Sequence, residues 1–270
     1  MEEERISGRQ FGILTFVMML APLIHAIPLR TAGAGRASWL ITFPVVIPLG
    51  VLFYFLFRCL ERMPEGSGMG DLYLLALGQR WGKLCCVLST FWIVTMLIED
   101  LRFYAERYVT AVYPETGLSL FYVALLLMML WISRGSLGAL ARTGKILFWV
   151  VMTTLAVVLV MAAPKMKLYN VWPVTDTDPR EVTMGTLRMI AVLAFAVPPT
   201  FLLGRVKWRS SKKGIVWWFV ILAVTMLLIA VEIFGVFGPE LTARLQVPFF
   251  TLAKEISFQR TVQGMEIIVA

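Results

Sequence analysis

The sequence predicts an all-α polytopic membrane protein, and three observations carry that reading. Apolar residues make up 59% of the 270 residues with Gly left out, whereas soluble domains reach about 45–50% only with Gly counted. Charged residues are 16%, against about 25% in soluble domains, so there is too little polar surface for a water-soluble chain of this size. The apolar residues also fall in long blocks bounded by charge, with no strand-like alternation. The net charge of +8 is scattered through short loops. Membrane insertion requires basic loops, so the charge does not call for a nucleic acid partner.

Residues 1–10, "MEEERISGRQ", are polar and lack a small-residue cleavage site; they read as a cytoplasmic N-terminus, with no removable signal peptide. The first span runs from Phe11 to about Pro28, the second from Trp39 to about Phe57, and the third from Leu84 past Ile98. In the third, Leu97, Leu101, Tyr104, Tyr108 and Val112 continue an i, i+4 stripe, which extends the helix to Tyr113. Glu99, Arg102 and Glu106 share its other side, and Glu99 and Asp100 read as an interfacial ion network with Arg102 and Arg107. "GSGMG" at Gly66 to Gly70 follows no strand and reads as a flexible turn. The fourth span covers Leu118 to Ile132 and the fifth Ile146 to Ala163, closing a first five-helix repeat over residues 11–163. The sixth is centred on Met189 to Leu203, and the seventh runs from Ile215 to Phe237 with Glu232 as an interfacial carboxylate near its outer end. An eighth begins near Val247, so residues 187–270 form a partial second repeat.

Orientation follows from the basic residues of the connections. The N-terminus and the second, fourth and sixth loops together hold fourteen Lys and Arg, and the odd-numbered loops hold eight. The N-terminus is therefore expected in the cytoplasm.

Two spans carry defects. "APLIHAIP", Ala21 to Pro28, places two prolines and the single histidine within eight residues, and "AFAVPPTFLLG" places Pro198 and Pro199 inside the sixth span. A proline removes a backbone donor, and the carbonyl it frees has no water to turn to in hydrocarbon. Broken first and sixth helices, five spans apart, fit an inverted five-helix repeat of the transporter type, whose unwound segments hold a small solute. The expected ligand site is Pro22, Leu23 and His25 from one break and Phe195, Ala196, Val197 and Thr200 from the other. The third and eighth helices are its walls. Free helix ends and unwound carbonyls can bind a zwitterionic amino acid without charged side chains. Two roles stay open for His25: a proton relay or partner of a ligand carboxylate, and a donor to a carbonyl freed by the break.

No catalytic constellation is present. A single histidine, the lack of a Cys/His pair and the lack of a phosphate loop or metal-ligand spacing argue against an enzyme, a metal and a cofactor. Cys59, Cys85 and Cys86 have no disulfide or metal spacing, and adjacent Cys85 and Cys86 read as helix-packing residues.

Several stretches in order resemble the B subunit of spore germinant receptors, a family within the amino acid/polyamine/organocation permease superfamily. They are "ISGRQFGIL" near the start, the Pro28-x(10)-Trp39 spacing and "YPETGL" at Tyr113 to Leu118. "RGSLGALARTGKI" at Arg134 to Ile146, "NVWPV" at Asn170 to Val174 and "PFFTLAKEISFQRTVQGMEIIVA" at the end complete the set. The chain departs from the pattern at Ser38, at Gly117 and in "APLIHA". The resemblance implies a fold of about ten spans, of which this chain presents about eight, making it C-terminally incomplete. It also implies a nutrient sensor of the spore inner membrane that binds a small germinant, an amino acid by the family's habit, in a transporter-like pocket. Such a subunit acts with A and C subunits to trigger ion release and germination. An amino-acid permease using the same pocket for turnover is the alternative.

Overall fold

The computed structural model describes residues 5–64, 66–111, 115–174, 178–207 and 212–257. It is mostly helical. Helices α1 (Gly8–Thr31) and α2 (Thr42–Glu61) are joined by a 3-10 stretch, Ala32–Ile41, and are followed by α3 (Met69–Ala111), α4 (Leu118–Ser133) and α5 (Leu137–Ala162). Then come α6 (Pro179–Ile190), the single turn α7 (Val197–Thr200), α8 (Lys212–Arg244) and α9 (Pro248–Ser257). Among the described residues five stretches are long and apolar enough to cross a membrane, and the first of them, Gly8–Leu56, contains α1 and most of α2. Helix α4 has 16 residues, and α9 is described for 10, short of the full eighth span expected from the sequence. The end of that span, like Val112 and Tyr113, lies outside the described residues.

The α1 start is dictated locally. Ser7 Oγ accepts from the Gln10 N–H (3.2 Å) and Gln10 Oε1 accepts from the Ser7 N–H (2.9 Å), a reciprocal cap that satisfies two otherwise orphaned donors. The helix then runs unbroken through Pro22 and Pro28, against the expected break at Ala21 to Ala26. Each proline removes one rung, to the carbonyls of Met18 and Ile24, and leaves the rest of the ladder intact. Helix α1 is also clasped by α5, α6, α8 and α9, so its path is held from several sides.

The sixth span, expected to break at Ala196 to Thr200, keeps a helical turn at Val197–Thr200 and changes its ladder earlier. Helix α6 starts at Pro179, capped by Asp178, and gives way to a 3-10 stretch at Ala191–Ala196. Pro198 cannot donate to the Ala194 carbonyl, and the Val197 N–H takes that acceptor in an i to i−3 bond. The tightened ladder is the local answer to the missing donor.

The third span differs from its expectation in length. Helix α3 begins at Met69 rather than near Leu84, because Asp71 accepts from the Gly68 N–H (2.8 Å) and fixes a helical start. Gly78 at φ 75° then breaks it. A Cβ on Gly82 would sit 2.7 Å from Leu74 Cα, so only glycine lets the two pieces meet. "GSGMG" is correspondingly a contact and not a free turn, since a Cβ on Gly204 would lie 2.8 Å from the Gly66 carbonyl oxygen. At the same end β1 (Ile6–Ser7) pairs in parallel with β2 (Val206–Lys207). The N-terminus and the connection after the sixth span therefore lie together.

At the opposite end α8 is broken at Gly238 (φ 74°), followed by Pro239. Pro239 cannot donate to the Gly235 carbonyl. That oxygen accepts instead from the Lys167 N–H (3.0 Å) and from Asn170 Nδ2 (2.8 Å). Trp39 Nε1 donates to the neighbouring Val171 carbonyl (3.4 Å), tying the first connection to the same place. Glu232, expected at an interface, is buried at 4% exposure.

The core lies between α1, α5, α8 and the sixth-span segments, with Phe16, Phe148 and Trp218 forming an edge-to-face cluster at centroid distances of 5.0–6.3 Å. Helices α3 and α4 pack chiefly on each other and leave Trp81, Phe91, Leu120 and Trp131 exposed, as lipid-facing surfaces require. Hydroxyls of Thr90, Thr95 and Thr154 donate to the carbonyl four residues back, satisfying themselves within the helix.

Candidate functional site

Along α1, residues 17, 20, 21, 24 and 25 recur at helical spacing and share one face. Val17, Leu20, Ala21, Ile24 and His25 of that face line a cavity of about 210 Å³, closed by Tyr104 of α3, by Val151, Thr154 and Leu155 of α5, and by Phe249 of α9. The lining is almost wholly apolar, with His25, Tyr104 and Thr154 as its polar side chains. Thr154 has committed its proton to the Val150 carbonyl (2.9 Å). His25 is 6% exposed, its Nδ1 has no hydrogen-bond partner, and its ring stands edge-on to Phe103 at 5.8 Å between centroids. An imidazole nitrogen left open on a cavity wall is a donor or acceptor for whatever enters.

Of the seven residues expected to bind, the structure brings His25 to this cavity. Leu23 is two positions earlier, about 200° around the helix by the 3.6 period, and is fully buried in the core on the other face. Ala196 joins the same core and Thr200 is buried, its hydroxyl donating to the Val197 carbonyl (2.6 Å). Pro22, Phe195 and Val197 are half-buried. The two proline-bearing segments do touch, since α1 packs along Ala191–Ala196 and against the Val197–Thr200 turn. They meet through closed core, whereas the open space lies on the α3, α5 and α9 side. The third and eighth spans, expected as walls of a site between the two breaks, contribute Tyr104 and Phe249 to this cavity. The wall from α5 was not foreseen, because an apolar stripe of Val151, Leu155 and Val158 gives no sign of which part faces a void.

The expected ion network on α3 resolves differently. Arg102 Nε donates to Glu106 Oε1 at 2.7 Å in an exposed i, i+4 pair, while Arg107 is buried against Phe103. Among the described residues no group of His, Cys, Asp and Glu could hold a metal ion.

A family model matches residues 5–270, nearly the whole chain, and its description is spore germination protein. The chain belongs to that family. A distant relative, spore germination protein KB of Bacillus subtilis (strain 168), is 19% identical over 272 aligned positions. The alignment covers 99% of this chain and 72% of the relative. No solved structure matches. This germination protein is thus a multi-pass membrane protein with a receptor- or permease-like role in germination. The stretches that carry the resemblance have physical roles in this chain. "ISGRQ" is the α1 cap, Ser136 of "RGSLGALARTGKI" caps α5 by accepting from the Ala139 N–H, and Asn170 of "NVWPV" meets the carbonyl stranded by Pro239.

Proposed function

We propose that this protein is a germinant-receptor subunit that binds a small nutrient, an amino acid, in the cavity at His25 and passes the occupancy on to trigger germination. The observation that carries the reading is an apolar cavity at the proline-bearing stretch of α1, with an unpartnered imidazole nitrogen on its wall. A volume of about 210 Å³ suits a small solute and not a polymer. The apolar lining would take a side chain, while His25 and the Tyr104 hydroxyl are placed for the polar end. Pro22 and Leu23, with Phe195, Ala196, Val197 and Thr200, form the other half of the device. The 3-10 stretch packed on the far face of α1 would feel any tilt of that helix, because a closed core transmits displacement rather than absorbing it. On this reading the protein is a receptor or transporter and not an enzyme. It sits in the spore inner membrane with its N-terminus in the cytoplasm and works with A and C subunits.

The test is to fill the cavity. Ala21→Leu adds three carbons to its wall, and Val160→Leu adds one on the exposed face of α5. Spores carrying each variant are followed by loss of optical density on single amino acids. Ala21→Leu should shift the effective concentration at least tenfold, and Val160→Leu should leave it unchanged. An unchanged response in Ala21→Leu spores, with the protein present at its normal level, would place the ligand elsewhere. Counterflow of labelled amino acid in liposomes at turnover rates would favour the permease reading over the receptor.

A further inference from the structure

A second cavity, of about 480 Å³, opens between the C-terminal part of α3 and the α8–α9 turn, and its chemistry is different. Its walls carry Arg107, Arg244 and Lys254, with Glu106 as the one carboxylate among the lining residues. Glu106 already holds Arg102 at 2.7 Å. The hydroxyls of Thr110 and Thr251 each donate to the carbonyl four residues back.

Arg107 is the unusual member. It is 6% exposed, and its Nε, Nη1 and Nη2 have no hydrogen-bond partner. Its guanidinium carbon lies 3.7 Å from the centroid of the Phe103 ring. That stacking uses the face of the guanidinium and leaves its edge, with all five N–H groups, unanswered. Burying a cation without a hydrogen-bonded counter-group is expensive, and a hydrophobic residue in its place is often more stable. The arrangement makes sense if a counter-group arrives from outside the chain. The planar fork of an arginine matches a carboxylate in two parallel hydrogen bonds, and Arg244 and Lys254 add positive potential at the mouth. Phe103, Val247 and Phe250 offer an apolar wall to the carbon skeleton.

We propose that this cavity is a binding site for a small carboxylate-bearing solute, with Arg107 as its carboxylate anchor. The site is separate from the His25 cavity and goes beyond the function proposed above.

The test uses the purified chain in phosphatidylcholine nanodiscs, titrated with sodium succinate against sodium chloride of equal ionic strength. Melting is followed by tryptophan fluorescence. Succinate should raise the melting temperature saturably. Arg107→Met should melt higher than the parent without succinate, since it removes a buried unpartnered cation, and should lose the succinate response. Arg244→Gln should weaken the response several-fold, and it keeps the test decisive if Arg107→Met fails to fold. Arg134→Gln, exposed in the connection between α4 and α5, should change nothing. Ala21→Leu should keep the full succinate response, so failure of the His25 reading leaves this one standing. A full response in Arg107→Met, or a lower melting temperature in that variant with the response intact, would make Arg107 structural and overturn the proposal. So would stabilisation by inorganic phosphate or by phosphatidylglycerol in the disc with none by succinate, which would assign the cavity to phosphate groups.

Discussion

Pro239 has no N–H, and its consequence appears 69 positions earlier in the chain, at Asn170, whose amide donates to the stranded Gly235 carbonyl at 2.8 Å. The Lys167 N–H shares that oxygen, so deleting the amide leaves one donor behind. Asn170→Ala should therefore cost about 1 kcal/mol, the ordinary net value of one hydrogen bond. Asn170→Asp should cost more, about 1–3 kcal/mol, because it sets a second acceptor against the carbonyl. Thermal unfolding of both variants in nanodiscs checks the ordering. Equal melting temperatures for parent and Asn170→Asp would show that the contact carries no stability. His25 stands at the same scale but with the opposite character: a buried polar atom that no neighbour answers.

Between elements, closeness is set by glycine. A Cβ on Gly12 would fall 2.0 Å from Trp218 Cδ1, and one on Gly144 would fall 2.7 Å from Leu14 Cδ2. Small residues at these points let α8 and α5 approach α1, which in lipid must come from van der Waals fit rather than from a hydrophobic drive. Gly12→Ala should force Trp218 out of its edge-to-face contacts with Phe16 and Phe148 and destabilise by about 1–3 kcal/mol, as overpacked cores do. Adding Trp218→Leu should recover part of that loss. If the two changes instead add independently in a double-mutant cycle, the helices are not in contact there.

For the whole molecule the register of Ile6 with Val206 and of Ser7 with Lys207 makes a statement about topology. Two backbone segments that pair must lie on the same side of the membrane, so an even number of crossings separates them. Six spans, as placed from the sequence, satisfy that condition. With Cys59, Cys85 and Cys86 changed to serine, an Ile6→Cys/Val206→Cys variant should form a disulfide on mild oxidation, detected as a mobility shift under non-reducing conditions. Cysteine at Lys207 should react with an impermeant thiol reagent only after the membrane is opened, and cysteine at Tyr169 should react in intact cells. Labelling in the reverse order would invert the orientation inferred from the basic loops.

Helical class, membrane residence and the approximate spans were determined by the sequence alone. These depend on local quantities: apolar run length and loop charge. The resemblance through "ISGRQFGIL", "NVWPV" and the other stretches was legible for the same reason, since those residues cap and stitch helices in this chain. Tertiary structure decided whether a proline unwinds its helix or merely bends it. Pro22 has the same chemistry as Pro198, but α1 is clasped by neighbours that hold its path, and the sixth span carries two adjacent prolines that remove consecutive rungs. It also decided which face of α1 meets open space, turning His25 and Ala21 toward a cavity and Leu23 into the core. A run of apolar residues all round a helix carries no information about rotation, so only the packed neighbours could choose.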